Sequence, residues 1–193
     1  VQGTLNRLRK TAAWSLLGIY YLLPWITWDD RQAVLFDLPA RKFYIFGLTM
    51  WPQDFIFLSW LLIMSALLLF LSTSVAGRVW CGYVCPQTVW TEAFVFMQRI
   101  TEGNYSKRKK LDKAPWTAEK WLRKGAKRML WFFFAVWTGF TFVGYFTPIT
   151  DLGARLVTFE LGGWETFWIC FYGFATYGNA GHMREQVCKY MCP

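Results

Sequence analysis

Two copies of one short pattern carry the thiols that could do chemistry: Cys81-Gly-Tyr-Val-Cys85-Pro86 and Cys188-Lys-Tyr-Met-Cys192-Pro193. Cys, Tyr, Cys and Pro recur at the same offsets in a chain with five cysteines, so the four paired thiols read as a site. Inert cysteines at helix ends would explain one motif but not the match between two. Four thiolates can hold zinc or an iron–sulfur cluster, and two can hold Cu(I), a soft ion that prefers sulfur. Zinc ribbons favour tighter C-x2-C knuckles. Of the ferredoxin run C-x2-C-x2-C-x3-C-P, only the last C-x3-C-P is present, so neither pair is a ferredoxin motif by itself. Cys81, Cys85, Cys188 and Cys192 are therefore the predicted metal and redox residues.

The neighbours of the pairs are weighed separately. His182, Met183 and Met191 offer soft donors for copper, although methionine at an interface more often packs and a lone histidine is more often a surface group. Cys170, between Ile169 and Phe171, reads as a small apolar packing residue. Glu92 falls in an apolar stretch and either relays protons or pairs with Arg78 or Arg99. Tyr83 and Tyr190 hold equivalent places in the two motifs, where they line an electron path or anchor the interface.

Composition identifies the elements that must position these groups. The chain has 193 residues, 55% hydrophobic and 21% aromatic, with 13 Trp, which is membrane-like rather than typical of a soluble domain. Residues 11–28, 53–75, 128–148 and 164–180 each approach the length that spans a bilayer. The net charge of +9 does not indicate nucleic acid, because no stacking platform or reading motif accompanies it. All basic residues except Arg31, Arg41, Lys42 and Arg155 fall on one face of a four-span arrangement, which marks that face as cytoplasmic and puts both ends and both cysteine pairs there. Thiols in that compartment stay reduced, so the pairs read as metal-binding or redox-active rather than as disulfides. No span carries the buried charges or broken helix pair of a transporter.

Local signals refine this picture. Pro24 kinks or ends the first span. Two β-prone runs between Val34 and Leu48 predict a small outer hairpin or loop. Pro86 suits the first turn of a helix from about Gln87 to Ile100, lying at the interface, with Cys85 at its start among unpaired N–H groups that suit an anionic ligand. Span, outer connection, span and C-x-Y-x-C-P occur twice, so two like-oriented helix pairs are expected to bring the motifs to one surface. The predicted class is an all-α membrane protein of four transmembrane helices. Its parts are a first helix pair with motif and interfacial helix (1–100), a basic cytoplasmic linker (101–127) with a short helix after Pro115, and a second pair with motif (128–193).

CGYVCPQTVWTE (81–92), WTGFTFVGYFTPIT (137–150) and ATYGNAGHMREQVCKYMCP (175–193) resemble the cytochrome oxidase accessory family CcoG, also called FixG or RdxA, and the likeness covers almost the whole chain. C-x3-C-P alone is also found in NapH-like membrane ferredoxins. The resemblance implies an iron–sulfur protein of the bacterial cytoplasmic (inner) membrane that supports assembly of cbb3-type oxidase by reducing Cu(II) to Cu(I). It implies membrane lipid, oxidase-assembly proteins and copper-handling proteins as partners, allows a homo-oligomer, and matches Cys81, Cys85, Cys188 and Cys192 to the family's paired membrane cysteines. Family members continue past the second motif into a ferredoxin-type domain. The resemblance thus implies that this chain is the membrane part of a longer protein, with 4Fe-4S clusters mainly in that other domain. A non-catalytic copper-binding assembly factor is the rival reading.

Overall fold

The computed structural model describes residues 3–28, 31–37, 42–50, 55–76, 78–115, 117–158 and 160–190. The chain opens with helix α1 (Thr4–Leu22), which stops before Pro24; Leu23–Trp25 form a 3-10 turn, as expected where a ring replaces the N–H that the next helical bond needs. Short strands follow: β1 (Thr27–Trp28) pairs with β2 (Arg31–Gln32), and β3 (Val34–Asp37), β4 (Lys42–Ile45) and β5 (Leu48–Met50) form an antiparallel three-stranded sheet. The predicted hairpin is present, with Val34 opposite Ile45 and Asp37 opposite Lys42, and a third strand extends it.

Helix α2 (Phe55–Ala76) is the apolar helix expected from 53–75. Among the described residues it is the one helix long and apolar enough to cross a membrane, over Ile56–Val75, and none of that stretch is buried against the rest of the chain. The other three expected spans do not meet the same standard, for local reasons. Helix α1 begins with Arg7, Arg9 and Lys10. Helix α6 (Ala118–Val143) begins inside the stretch read as a linker and carries Lys120, Arg123, Lys124, Lys127 and Arg128 in its first half. Helix α8 (Gly163–Thr176) has only 14 residues before its bonding changes to a π-helix over Tyr177–His182.

The expected pairing of the first two long helices is not seen, since α2 buries nothing in its apolar stretch and α1 packs instead on α4 (Pro86–Glu102). Between α2 and α4 lies the short α3 (Arg78–Tyr83). Ala13 and Leu17 of α1, Val89, Ala93, Phe94 and Met97 of α4, Trp131 and Ala135 of α6, and Ala180 of the π-segment make the principal core. The helix after the first motif is therefore part of the bundle interior rather than a purely interfacial element. Trp131 Nε1 donates to the Phe94 carbonyl (3.2 Å), so the largest ring in this core keeps its polar edge satisfied.

The expected second pair does pack. Gly139 of α6 lies against α8 so closely that a Cβ built there would sit 2.5 Å from the Ile169 carbonyl oxygen, whereas one at Gly173 would meet Ala135 O at an ordinary 3.5 Å. Gly139→Ala is therefore expected to push the helices apart and cost about 1–3 kcal/mol, with Gly173→Ala much milder. Thermal unfolding of the two variants in the same detergent checks this, and equal melting points would refute the close approach. The sheet docks on the turn after α6: Phe36 N–H donates to Tyr145 O (2.8 Å), Gln32 Nε2 donates to Gly144 O (2.7 Å), and Gln32 Oε1 accepts from Ile149 N–H (3.2 Å) at the start of α7 (Ile149–Thr158). Across the expected linker run helix α5 (Tyr105–Lys113) and the basic start of α6, the helix expected after Pro115, joined by an ion pair between Asp112 and Lys124 at 3.0 Å. The hydrogen bond from Lys124 holds the Asp112 carboxyl below its ordinary value.

Candidate functional site

The first motif is wound on itself at the junction of α3 and α4. Cys81 lies in α3 and is exposed, and Cys85 is the half-buried residue immediately before α4. Its carbonyl accepts the backbone N–H groups of Thr88 (3.0 Å) and Val89 (3.1 Å), and Pro86 fills the first helical position, where no N–H is needed. The Thr88 hydroxyl reaches back to donate to the Cys81 carbonyl at 2.6 Å, tying the two cysteine positions to the same first turn. The expectation that Cys85 starts a helix holds, and Thr88 is a fastening residue that sequence reading missed. A Thr three residues after a predicted helix-start cysteine is the signal that was available.

The second motif is reached through the π-segment. Cys188 is an exposed residue of α9 (Arg184–Tyr190), while Met191, Cys192 and Pro193 lie outside the described residues. The two halves of the chain touch beside the first motif, where Gln87 Nε2 donates to Asn179 O (2.9 Å). Helix α9 is anchored further along α4, where Arg184 donates through Nε to Ala180 O (2.9 Å) and through Nη2 to Gln98 Oε1 (3.3 Å). Gln98 lies well along α4 from Cys85, roughly 20 Å of helix at the standard rise. Among the described residues no three His, Cys, Asp or Glu side chains gather as a metal-binding group. The structure thus sets Cys81 and Cys85 at one turn.

At the far end of α4 charged side chains form a second cluster. Glu102, whose side chain is 1% exposed, pairs with Lys127 at 2.7 Å and accepts from Gln98 Nε2 at 3.1 Å. Arg184 and Lys127 both lie over the Trp131 ring, at 5.2 and 5.3 Å from its centre. Burial, and then the neighbouring Arg108, lower the Arg184 guanidinium from its ordinary value, but a guanidinium remains charged. His182, exposed, stands against Tyr177 and Trp131 with ring centres 5.4 and 6.3 Å away, a packing role on the aromatic side of this cluster. Met183 is exposed.

Two of the neighbouring assignments change. Glu92 pairs with Arg9 (2.7 Å) rather than with Arg99, and the side chain of Arg78 lies outside the described residues; Arg9 is 83 positions away and comes into reach only when α1 packs on α4. Cys170 is exposed on α8 next to buried Ile169, so it does not pack in the core. Tyr83 is half-buried and Tyr190 exposed, so the equivalent tyrosines do not share an environment.

Comparison with known proteins bears on the first motif directly. The 4Fe-4S binding domain family matches residues 56–102, which take in α2 except its first residue, then α3, the Cys81–Cys85 turn and the whole of α4. Nitrogen fixation protein FixG of Rhizobium meliloti is 42% identical over 197 residues, covering 100% of this chain and 38% of the relative. Protein RdxA of Cereibacter sphaeroides is 44% identical, covering 95% of this chain and 41% of the relative, and Protein RdxB of the same organism is 40% identical, with 100% and 42%. The chain belongs to the FixG/RdxA family. It spans about two fifths of the length of these relatives. No solved structure matches it.

The segment matched by the 4Fe-4S binding family contains the chain's first cysteine pair, Cys81 and Cys85. The donor chemistry fits such a cluster in part. Cys81 and Cys85 supply two accessible thiols at one turn, half of a four-cysteine ligand set, and Cys188 and Cys192 are the remaining paired thiols of the chain.

Proposed function

We propose that the chain is the membrane-anchoring part of an iron–sulfur redox protein that supports assembly of a cbb3-type oxidase by reducing Cu(II) to Cu(I) at cytoplasmic cysteine pairs. The observation that carries this reading is the 4Fe-4S family match that includes the Cys81–Cys85 turn. Cys81 and Cys85 would supply two ligands of the redox centre, with Cys188 and Cys192 as the second pair. When bound, an iron–sulfur cluster supplies one-electron chemistry, the stoichiometry that Cu(II) reduction needs. Thiolates also stabilise the product, because Cu(I) is soft and favours sulfur over oxygen donors. Thr88 and Gln87 keep the first pair on the end of α4 and tie that end to the second half.

The test uses the full-length protein in detergent. Iron and acid-labile sulfide are measured, the protein is reduced with dithionite and freed of excess, and Cu(II) is added with a Cu(I)-specific chelator as readout. The expected result is Cu(I) in proportion to iron. Stoichiometric Cu(I) binding without reduction would replace this reading with that of a copper-binding assembly factor.

The same proposal includes four membrane crossings with both ends in the bacterial cytoplasm, supported by the basic residues on 101–128 and in the first turns of α1. Reporter fusions after Lys110 and after Gly153 are expected to report opposite sides of the inner membrane. The same side for both would defeat the topology.

A further inference from the structure

The redox reading leaves open where electrons enter, and an apolar cavity of the fold bears on it. Between α6, α7 and α8 lies an apolar cavity of about 770 Å³, within the range of ligand pockets, walled by rings that include Phe142, Trp164, Trp168 and Tyr172. Its polar fittings are few: Arg155 and Glu165 also line it and pair at 3.3 Å. Glu165 is held there by accepting the Gly162 N–H (3.1 Å) at the start of α8. Flat walls with one fixed donor and one fixed acceptor suit a planar ring bearing oxygens better than a flexible chain.

The cavity also leads somewhere. Phe142 and Tyr172, with ring centres 3.9 Å apart, form part of its wall and part of the wall of a second cleft of about 390 Å³. The far side of that cleft is Pro86, Gln87 and Trp90, immediately after Cys85. Trp168 stacks on Tyr172 (5.6 Å), so a row of rings leads from the cavity to the wall it shares with the cleft.

We propose that this cavity binds a hydroquinone of the membrane quinone pool and is the electron entry site of the redox protein. The inference rests on the redox reading above. A bound hydroquinone loses two electrons and two protons to become the quinone. Glu165 accepts the hydroxyl protons in turn and passes each to solvent at the rim, Arg155 donates to the quinone oxygen, and the electrons leave one at a time along the aromatic row to the one-electron acceptor at the cysteine end.

The probe is decylubiquinone with a photoreactive azido group, applied to the full-length protein in nanodiscs of defined phosphatidylcholine. Saturable cross-linking is expected, mapping to peptides within 142–172. Trp168→Leu and Arg155→Gln are each expected to weaken it about tenfold, the effect of losing one stacked or charge-assisted contact, while Trp60→Leu on the exposed face of α2 leaves it unchanged. Using both variants guards against misfolding of either. Non-saturable labelling, labelling indifferent to both variants, or a tightly held phospholipid in the cavity that excludes the quinone would overturn the assignment. If labelling fails while dithionite-driven Cu(II) reduction persists, the redox reading stands and the entry site does not.

Discussion

Cys81→Ser combined with Cys85→Ser is expected to leave the full-length protein inserted in the membrane but to remove its Cu(II) reduction and the spectroscopic signal of any cluster held at that pair. Serine is a poor ligand for soft metals, and losing both donors at one turn leaves no partial site. Because the α4 cap uses backbone groups of Cys85 and the side chain of Thr88, not the sulfurs, insertion and folding should survive. Cys188→Ser with Cys192→Ser is expected to act similarly on copper. Cys170→Ala, at an exposed position of α8, should be silent. Anaerobic electron-spin resonance beside the chelator assay reads both effects, and normal copper reduction in the Cys81/Cys85 variant would remove that pair from the mechanism.

Lys127→Met should be the most damaging substitution outside the cysteines. It strands the Glu102 carboxylate, 1% exposed, with Gln98 as its remaining polar contact among the described residues. Breaking a buried ion pair by removing one partner costs about 3–5 kcal/mol, far more than the pair contributes when intact. Lys127→Met with Glu102→Leu should recover most of that loss, and Lys127→Arg should cost little. Thermal unfolding in one detergent compares the three. A single variant as stable as the unaltered protein would mean that Glu102 is neutral or hydrated there.

What could be read in advance followed from signals that are local. The apolar run of α2, the β-prone runs of the sheet, and Pro86 as first helical residue each act within a few positions, and each element appears where they put it. The basic stretch before residue 128 was legible in part: a short helix was expected after Pro115, and the helix found there runs on to Val143. A run of Lys and Arg reads as solvated linker, yet AEKWLRKGAKR is rich in helix formers, and the Glu119–Arg123 pair (2.7 Å) supports one turn of it, so α6 starts at Ala118. Glu92 found Arg9 and Gln87 found Asn179 through packing of distant segments, which no local pattern encodes. In the sequence the candidate site reads as four cysteines. How the pairs are disposed depends on the π-segment, and Tyr-Gly-Asn-Ala-Gly has no apolar period to announce one.

That segment has a consequence of arithmetic. An α-helix closes its hydrogen bonds over four residues and a π-helix over five, so Tyr177–His182 holds one residue more than α-helical winding would accommodate. Each residue turns a helix by about 100°. The surplus residue therefore decides which way Asn179 offers its carbonyl to Gln87 and whether Gly181, where a Cβ would stand 3.4 Å from the Trp131 ring, meets that ring or turns away. Both halves of the chain are keyed together by a count. Sequences of this kind can exchange side chains across the segment more readily than they can gain or lose a position, because a single deletion would swing everything towards Cys188 by roughly a quarter turn while leaving every ligand in place in the sequence.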